Sequence, residues 1–166
     1  RNSRRSATPS PTRSSAPPRH APPAVRVSAA DLTRLIAPLE PLASVSGRAW
    51  AVGGGLRDAL LGRPVADLDL AVEGDAAPFA AALARAHGAD RFRLSRDFGS
   101  WSVTGGRLPI HVDITPLQGR DLAADLDRRD FTVNALALDI SAPDAGVVDR
   151  HGGLAGLVLP ARCGPL

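Results

Sequence analysis

Six residues, Asp67-Leu68-Asp69-Leu70-Ala71-Val72, constrain this chain more than any other stretch. Leucine alternates with a polar or small residue, which is the period of a half-buried strand. Residues two apart in a strand point to the same side, so Asp67 and Asp69 share one face while Leu68 and Leu70 share the other. Two carboxylates this close repel each other unless a cation lies between them. Mg²⁺ suits the place, because it takes oxygen ligands, needs few protein carboxylates and leaves room for substrate phosphates. A D-x-D pair alone is common on surfaces. The apolar alternation adds that both groups lie on one face.

The flanking sequence supplies neighbours for that strand. Ser28 and Asp31 form a capping box ahead of Leu32, Leu35, Ile36 and Leu39, a helix that Pro38 and Pro41 should end early. Ala49-Trp50-Ala51-Val52 reads as a short strand running into Gly53-Gly54-Gly55, with a helix over Leu56 to Leu61 stopped by Gly62 and Pro64. Asp75 can cap a helix through Ala76–His87 that Gly88 closes. Strands are predicted at Arg91–Leu94, Trp101–Thr104 and Ile110–Thr115, with Gly105-Gly106 as the turn between the last two. Asp121–Leu126 and Thr132–Leu138 read as helices, and Gly146-Val147-Val148 as a final strand. The outcome is a mixed α/β (α+β) unit of about 120 residues, a small mixed sheet flanked by helices, with one modest core.

Charge is distributed unevenly along the 166 residues. The formal net charge of +3 comes from residues 1–26, which hold six arginines and no acid, whereas residues 27–166 hold 14 arginines against 17 acids. Six of the 15 prolines also fall in 1–26, and so little apolar surface predicts a disordered tail. The global charge therefore describes the tail and not the folded part. Cys163 is the only cysteine, which forbids an internal disulfide and a Cys-rich zinc site and points to a reducing, cytoplasmic setting without a disulfide-linked partner. No apolar run approaches the roughly 18 residues of a membrane span, so no membrane partner is expected. His20, His87, His111 and His151 are scattered and form no ligand set. Trp50 and Trp101, at strand positions, read as core.

Three further elements carry chemistry. The run Val52-Gly53-Gly54-Gly55-Leu56-Arg57-Asp58 lies between strand and helix, where backbone N–H groups can cradle an anion. It is neither a dinucleotide fingerprint nor a Walker loop, since no third spaced glycine and no Gly-Lys-Ser/Thr follows. Asp113 lies in mid-strand among apolar neighbours, where an unpaired carboxylate is costly. It either has a hydrogen-bonding partner or joins the other two acids around metal. Arg128 and Arg129 stand just before the helix predicted at 132–138, and guanidinium suits bidentate phosphate contact.

In this order and spacing, the stretches resemble one family. Val-Gly-Gly-Gly-Leu-Arg-Asp is followed by Leu-Leu-Gly-Arg-Pro-Val-Ala-Asp-Leu-Asp-Leu, by Phe98-Gly99-Ser100, by Arg-Arg-Asp-Phe-Thr-Val-Asn-Ala-Leu-Ala, and by Val148-Asp149-Arg150-His151-Gly152-Gly153-Leu154. The whole, from Trp50 to Leu157, resembles the head domain of bacterial-type (class II) tRNA nucleotidyltransferases and poly(A) polymerases, in the DNA polymerase β superfamily. The resemblance implies a nucleotidyltransferase head over residues 27–159, preceded by the tail, with 160–166 as the start of a neck region. It implies two Mg²⁺ ions held by Asp67 and Asp69, with Asp113 as the third catalytic carboxylate. Gly54 and Arg57 would contact the nucleotide phosphates, Arg129 with Arg128 nearby would hold the triphosphate or ribose side, and Gly55, Asp58 and Asn134 would also belong to the nucleotide site. Gly55 stands where the family more often has alanine, a change expected to be harmless. The implied reaction is in-line attack by the 3′-hydroxyl of tRNA or another RNA on the α-phosphorus of CTP or ATP, releasing pyrophosphate.

The family's helical neck selects the base. A chain ending at Leu166 is therefore expected to be a fragment that binds NTP but adds little or no ordered CCA. Two alternatives stand beside this reading: nucleotidyl transfer to a small molecule, and a non-catalytic NTP- or RNA-binding remnant.

Overall fold

The computed structural model describes residues 29–157. The tail 1–26, the Ser28/Asp31 capping box and the segment 160–166 lie outside the described residues or side chains.

Strand β1 (Ala49–Val52) leads directly into helix α2 (Gly53–Leu60), which follows α1 (Ala29–Ile36) in the chain. Strand β2 (Asp67–Val72), helix α3 (Ala76–His87) and strands β3 (Asp90–Arg93), β4 (Trp101–Thr104) and β5 (His111–Pro116) come next. Helix α4 (Leu122–Leu126) and strands β6 (Leu136–Asp139) and β7 (Val147–Asp149) complete the order. The strands form one seven-stranded sheet in the order β3-β4-β5-β2-β1-β6-β7. Only β2 and β5 pair in parallel. Among the described residues no helix is long and apolar enough to cross a membrane.

Local chemistry accounts for most element ends. The α-helix stops at Ile36, and Pro38 and Pro41 lie in a 3-10 continuation over Ala37–Ser44, since neither proline can donate to the helical ladder. The Asp75 carboxylate accepts from the Ala77 N–H at the start of α3, and Gly88 closes that helix in the left-handed region at φ 59°. Helix α2 starts at Gly53, three residues before the predicted Leu56, so the glycine run forms its first turn.

The stretch predicted as a helix over 132–138 is instead a 3-10 turn at Thr132–Asn134 followed by β6. Leu136, Ala137 and Leu138 are buried on both faces of the sheet, and so short a continuous apolar run carries no period to separate strand from helix. Arg128 and Arg129 accordingly follow α4 and precede a turn.

The two sheet faces differ. Leu68, Leu70 and Val72 of β2, Val112 and Ile114 of β5, and Leu136 and Leu138 of β6 join Leu56, Phe79 and Leu83 in the main core. The opposite face holds a smaller cluster of Trp50, Val52, Ala71, Ala137 and Leu126, the last brought by α4. Beyond that cluster this face turns polar.

Candidate functional site

The polar part of the second face is organised by strand register. Asp69 pairs with Asp113 on parallel β5 and with Val52 on antiparallel β1, and Asp113 pairs in turn with Ser102 on β4. Ser102, Asp113, Asp69 and Val52 thus form one line across four strands, and Asp67 and its partner His111 stand two residues away on the same face.

Asp113 has hydrogen-bonding partners. The buried Ser102 hydroxyl donates to its Oδ1 at 2.6 Å, and His111 Nε2 lies 3.1 Å from the same oxygen. Ser102 Oγ also meets His111 Nε2. His111 Nδ1 is 4.0 Å from Asp67 Oδ1, and the Asp67 side chain is 84% exposed. Asp69 keeps a solvent edge, yet desolvation by its surroundings pushes its pKa up. Asp113 and Asp67 push it the same way, and Arg129 opposes them.

The glycine run brings the N-terminus of α2 against this line. Gly53 has φ +72°, and a Cβ there would lie 2.7 Å from Asp69 Oδ2. A Cβ on Gly55 would fall 2.5 Å from the Asp67 main-chain oxygen and 3.2 Å from Leu68 Cα. At position 55 the helix approaches β2 too closely for a methyl group, so glycine is the residue this approach accommodates. No side chain caps the first turn of α2, which leaves its N–H groups to water or an anion.

Arg57, Asp58 and Asn134 are brought together. Arg57 donates through Nε and Nη2 to both oxygens of Asp58, at 3.0 and 3.1 Å, and through Nη1 to Asn134 Oδ1 at 3.0 Å. Its guanidinium curls back over Gly54, whose Cβ would meet Nη2 at 3.5 Å. The two neighbouring arginines of the 128–131 stretch part company. Arg129 lines a cleft of about 240 Å³ with Asp69, Thr115 and Gln118, whereas Arg128 is exposed and does not line it.

Sequence reasoning missed what holds Arg129. Asp125 is buried, accepts from the Gln118 N–H at 2.8 Å, and receives Arg129 Nη2 at 3.0 Å. The Arg129 Nε is buried without a partner. The four-residue spacing of Asp125 and Arg129 was a visible signal, although it is shared by many surface helix pairs. Ser102 and His111 carried no local signal. Their place depends on the register of three strands.

The donor set fits a divalent cation. Asp113 and Asp67 both raise the proton affinity of Asp69 on one open face, beyond what desolvation does. Among the described residues no three His, Cys, Asp or Glu side chains form a ready cage. Two acids completed by substrate phosphates are the usual arrangement for Mg²⁺. Chemically, the site combines a cation-seeking acid line, uncapped N–H groups and a partly satisfied guanidinium. That combination suits a metal-associated polyphosphate.

Residues 49–158 match the family described as the poly A polymerase head domain. The chain is 39% identical over 131 residues to a CC-adding tRNA nucleotidyltransferase of Geobacter sulfurreducens, covering 76% of this chain and 30% of that protein. It is 38% identical over 120 residues to an A-adding tRNA nucleotidyltransferase of Aquifex aeolicus, covering 64% of this chain and 14% of that one. Among solved structures, it resembles a tRNA nucleotidyltransferase complexed with a primer tRNA and an incoming ATP analog, with a TM-score of 0.62 and 35% identity over 72% of this chain and 36% of that one. The chain thus spans about a third or less of the length of these relatives.

Proposed function

The chain belongs to the poly(A) polymerase head-domain family, the head of the class II tRNA nucleotidyltransferases, and on that premise we propose that it carries the site for nucleotidyl transfer from CTP or ATP to the 3′-hydroxyl of tRNA. The observation that carries this reading is the pairing of Asp69 with Asp113 across β2 and β5, with Asp67 on the same face and the glycine-opened start of α2 beside it.

Asp67 and Asp69 would hold divalent metal, Mg²⁺ by the chemistry of the donors, which when bound supplies charge neutralisation for the phosphates and a lower pKa for the attacking hydroxyl. The residues of the chain do the rest. Uncapped N–H groups of α2 receive phosphate oxygens. Arg129, fixed by Asp125 and with Nε still unpaired, faces the same cleft as Asp69 and is placed to meet the triphosphate. Arg57, bonded to Asn134, lies beside Gly54 in the first turn of α2 and would gain a phosphate contact by turning from Asp58. The O3′–Pα bond forms as the bond from Pα to the bridging oxygen breaks, and pyrophosphate leaves with the electron pair.

Calorimetric titration of the full chain with CTP and ATP in the presence of Mg²⁺ tests this reading. The Asp67→Ala/Asp69→Ala double variant should lose nucleotide affinity by at least about tenfold, each tenfold being about 1.4 kcal/mol. Unchanged metal and nucleotide binding by that variant would sink the assignment. Labelled ATP offered with tRNA, and separately with small hydroxyl acceptors, distinguishes an RNA acceptor from a small-molecule one.

A further inference from the structure

The outer edge of the sheet has no part in the site described above and a different chemistry. Strand β3 is the terminal strand, and all four of its residues are exposed. Arg91 and Arg93 lie on one side of it, and both guanidiniums sit over the ring of Trp101, at 5.0 and 5.2 Å from its centroid. Arg96 follows in the next loop and lines an open hollow with Arg93 and Leu94. Among the described residues none of these three arginines makes an ion pair. On the other side of the strand Phe92 is 47% exposed. Of the chain's four phenylalanines, only Phe79 is buried.

Register ties this edge to the acid line. Phe92 pairs with Ser102, Ser102 with Asp113 and Asp113 with Asp69. Phe92 therefore stands on the acid face, three strand spacings or about 14 Å from Asp69. Arg91 and Arg93, paired with Val103 and Trp101, stand on the opposite face, so a docked strand would wrap the edge, phosphates on one side and a base on the other. A guanidinium held over an indole face is partly ordered in advance and keeps N–H groups for phosphate. An exposed phenyl ring offers a face on which any base can stack.

We propose that the β3 edge, through Arg91, Arg93, Arg96 and Phe92, docks the single-stranded RNA segment that leads its 3′ end to the acid line. This rests on the nucleotidyl-transfer reading above and adds the path of the acceptor. The arginines take the backbone phosphates and Phe92 stacks a base of the nucleotides preceding the reactive end. The edge offers three arginines without ion pairs close together, whereas Arg57 and Arg129 at the acid line are paired with Asp58 and Asp125.

The test is fluorescence anisotropy with a labelled 12-nucleotide RNA and the full chain at several salt concentrations, with CTP binding measured in parallel. The cationic tail is present in every variant and cancels in the comparison. The Arg91→Gln/Arg93→Gln/Arg96→Gln variant should bind RNA at least tenfold more weakly, with a shallower salt slope, each lost phosphate contact removing about 0.7 from it. Phe92→Ala should weaken binding about fivefold or more and leave the slope unchanged. Arg34→Gln, on α1, should do neither, and CTP affinity should be unaltered throughout.

Unchanged RNA affinity in the triple variant would overturn the proposal, and new self-association alongside it would assign the arginines to guarding the strand edge. Polyglutamate competing as well as RNA, with Phe92→Ala silent, would overturn it in favour of an acidic protein partner. If CTP binding were absent from the wild-type chain, the nucleotidyl-transfer reading would fail instead, a result distinct from CTP binding with RNA binding that ignores β3.

Discussion

The middle of the sheet and its β3 edge are both rich in arginine, but they treat the charge in opposite ways. Around β1, β2 and α4, Arg48 is paired with Asp139, Arg57 with Asp58 and Arg129 with Asp125. On β3, Arg91 and Arg93 rest on an indole ring, and among the described residues neither makes an ion pair. A buried or half-buried guanidinium without a partner is costly, so an arginine positioned inside a site must be neutralised by the protein itself. At an edge in full solvent no such cost arises, and the charge stays available to something outside. Substitutions should therefore be expensive in the middle and nearly free for stability at the edge, where changes such as Arg93→Gln should fall within about 0.5 kcal/mol.

The sharpest way to break this comparison is Asp125→Asn. Asp125 is buried and holds both Arg129 and the Gln118 N–H. Removing its charge leaves Arg129 uncompensated beside α4 and should cost about 3 kcal/mol in urea unfolding. Nucleotide affinity should fall as well, because Arg129 loses its fixed orientation. A variant as stable as the wild type, with full CTP affinity, would show that the pair is incidental.

Gly55→Ala comes next in size. The added methyl group meets the Asp67 main-chain oxygen at 2.5 Å, and backbone cannot move aside as a flexible side chain does. Overpacking of this kind costs about 2 kcal/mol, and it should also spread α2 from β2 and weaken CTP binding. Gly62→Ala offers a contrast, since a Cβ there meets nothing within 4 Å and only its φ of +66° is unfavourable. Thermal melts of both should rank Gly55→Ala as the more damaging.

These two residues also mark what the sequence could convey. Alternation alone placed Asp67 and Asp69 on one face, and the capping signals at Asp75 and Gly88 bounded α3 correctly, because both depend on neighbours in the chain. The mixed α/β class followed from the same local patterns. Strand β6 was hidden because it is buried on both sides and shows no period. Asp125, Ser102 and the tight place of Gly55 depend on contacts between distant segments, with Gln118, with Asp113 and with Asp67 respectively. No local pattern distinguishes them from a surface acid, a strand serine and a loop glycine.

A smaller effect is expected from pH at the Arg48–Asp139 pair. Burial alone would raise the Asp139 pKa, but the Ser141 hydroxyl, Arg48 and the Ser141 N–H outweigh it and hold the carboxyl below its ordinary 3.8. A depressed carboxylate contributes stability that is present above its unfolded value and lost as pH falls through the folded one. Arg48 is 60% exposed, so solvent screening limits the contribution to about 1 kcal/mol. Melts of wild type and Asp139→Asn should differ by that amount at pH 6, and the gap should close below pH 3.8. A gap that persists at low pH would assign the effect to packing.

The smallest effect has the opposite sign and bears most directly on the acid line. Among the described residues Asp69 is the one carboxylate whose pKa is raised, by desolvation first and then by Asp113 and Asp67. Its folded form holds a proton more tightly than its unfolded form, so stability falls as pH rises from 3.8 through the folded pKa, and the deficit remains at neutral pH. Asp69→Asn removes that charge and should stabilise the metal-free chain at pH 7 by roughly 0.5 kcal/mol, solvent screening included. Mg²⁺ should reverse the order, since a cation that binds only the folded state adds stability by mass action to the wild type and much less to the variant. Thermal melts with and without millimolar Mg²⁺ read both arms. Equal stabilisation of the two proteins by Mg²⁺ would place the cation elsewhere. A less stable variant at pH 7 would mean that Asp69 is kept for structure. The expected outcome instead marks a residue held at a cost to the fold, which is how a binding carboxylate differs from a supporting one such as Asp125 or Asp139.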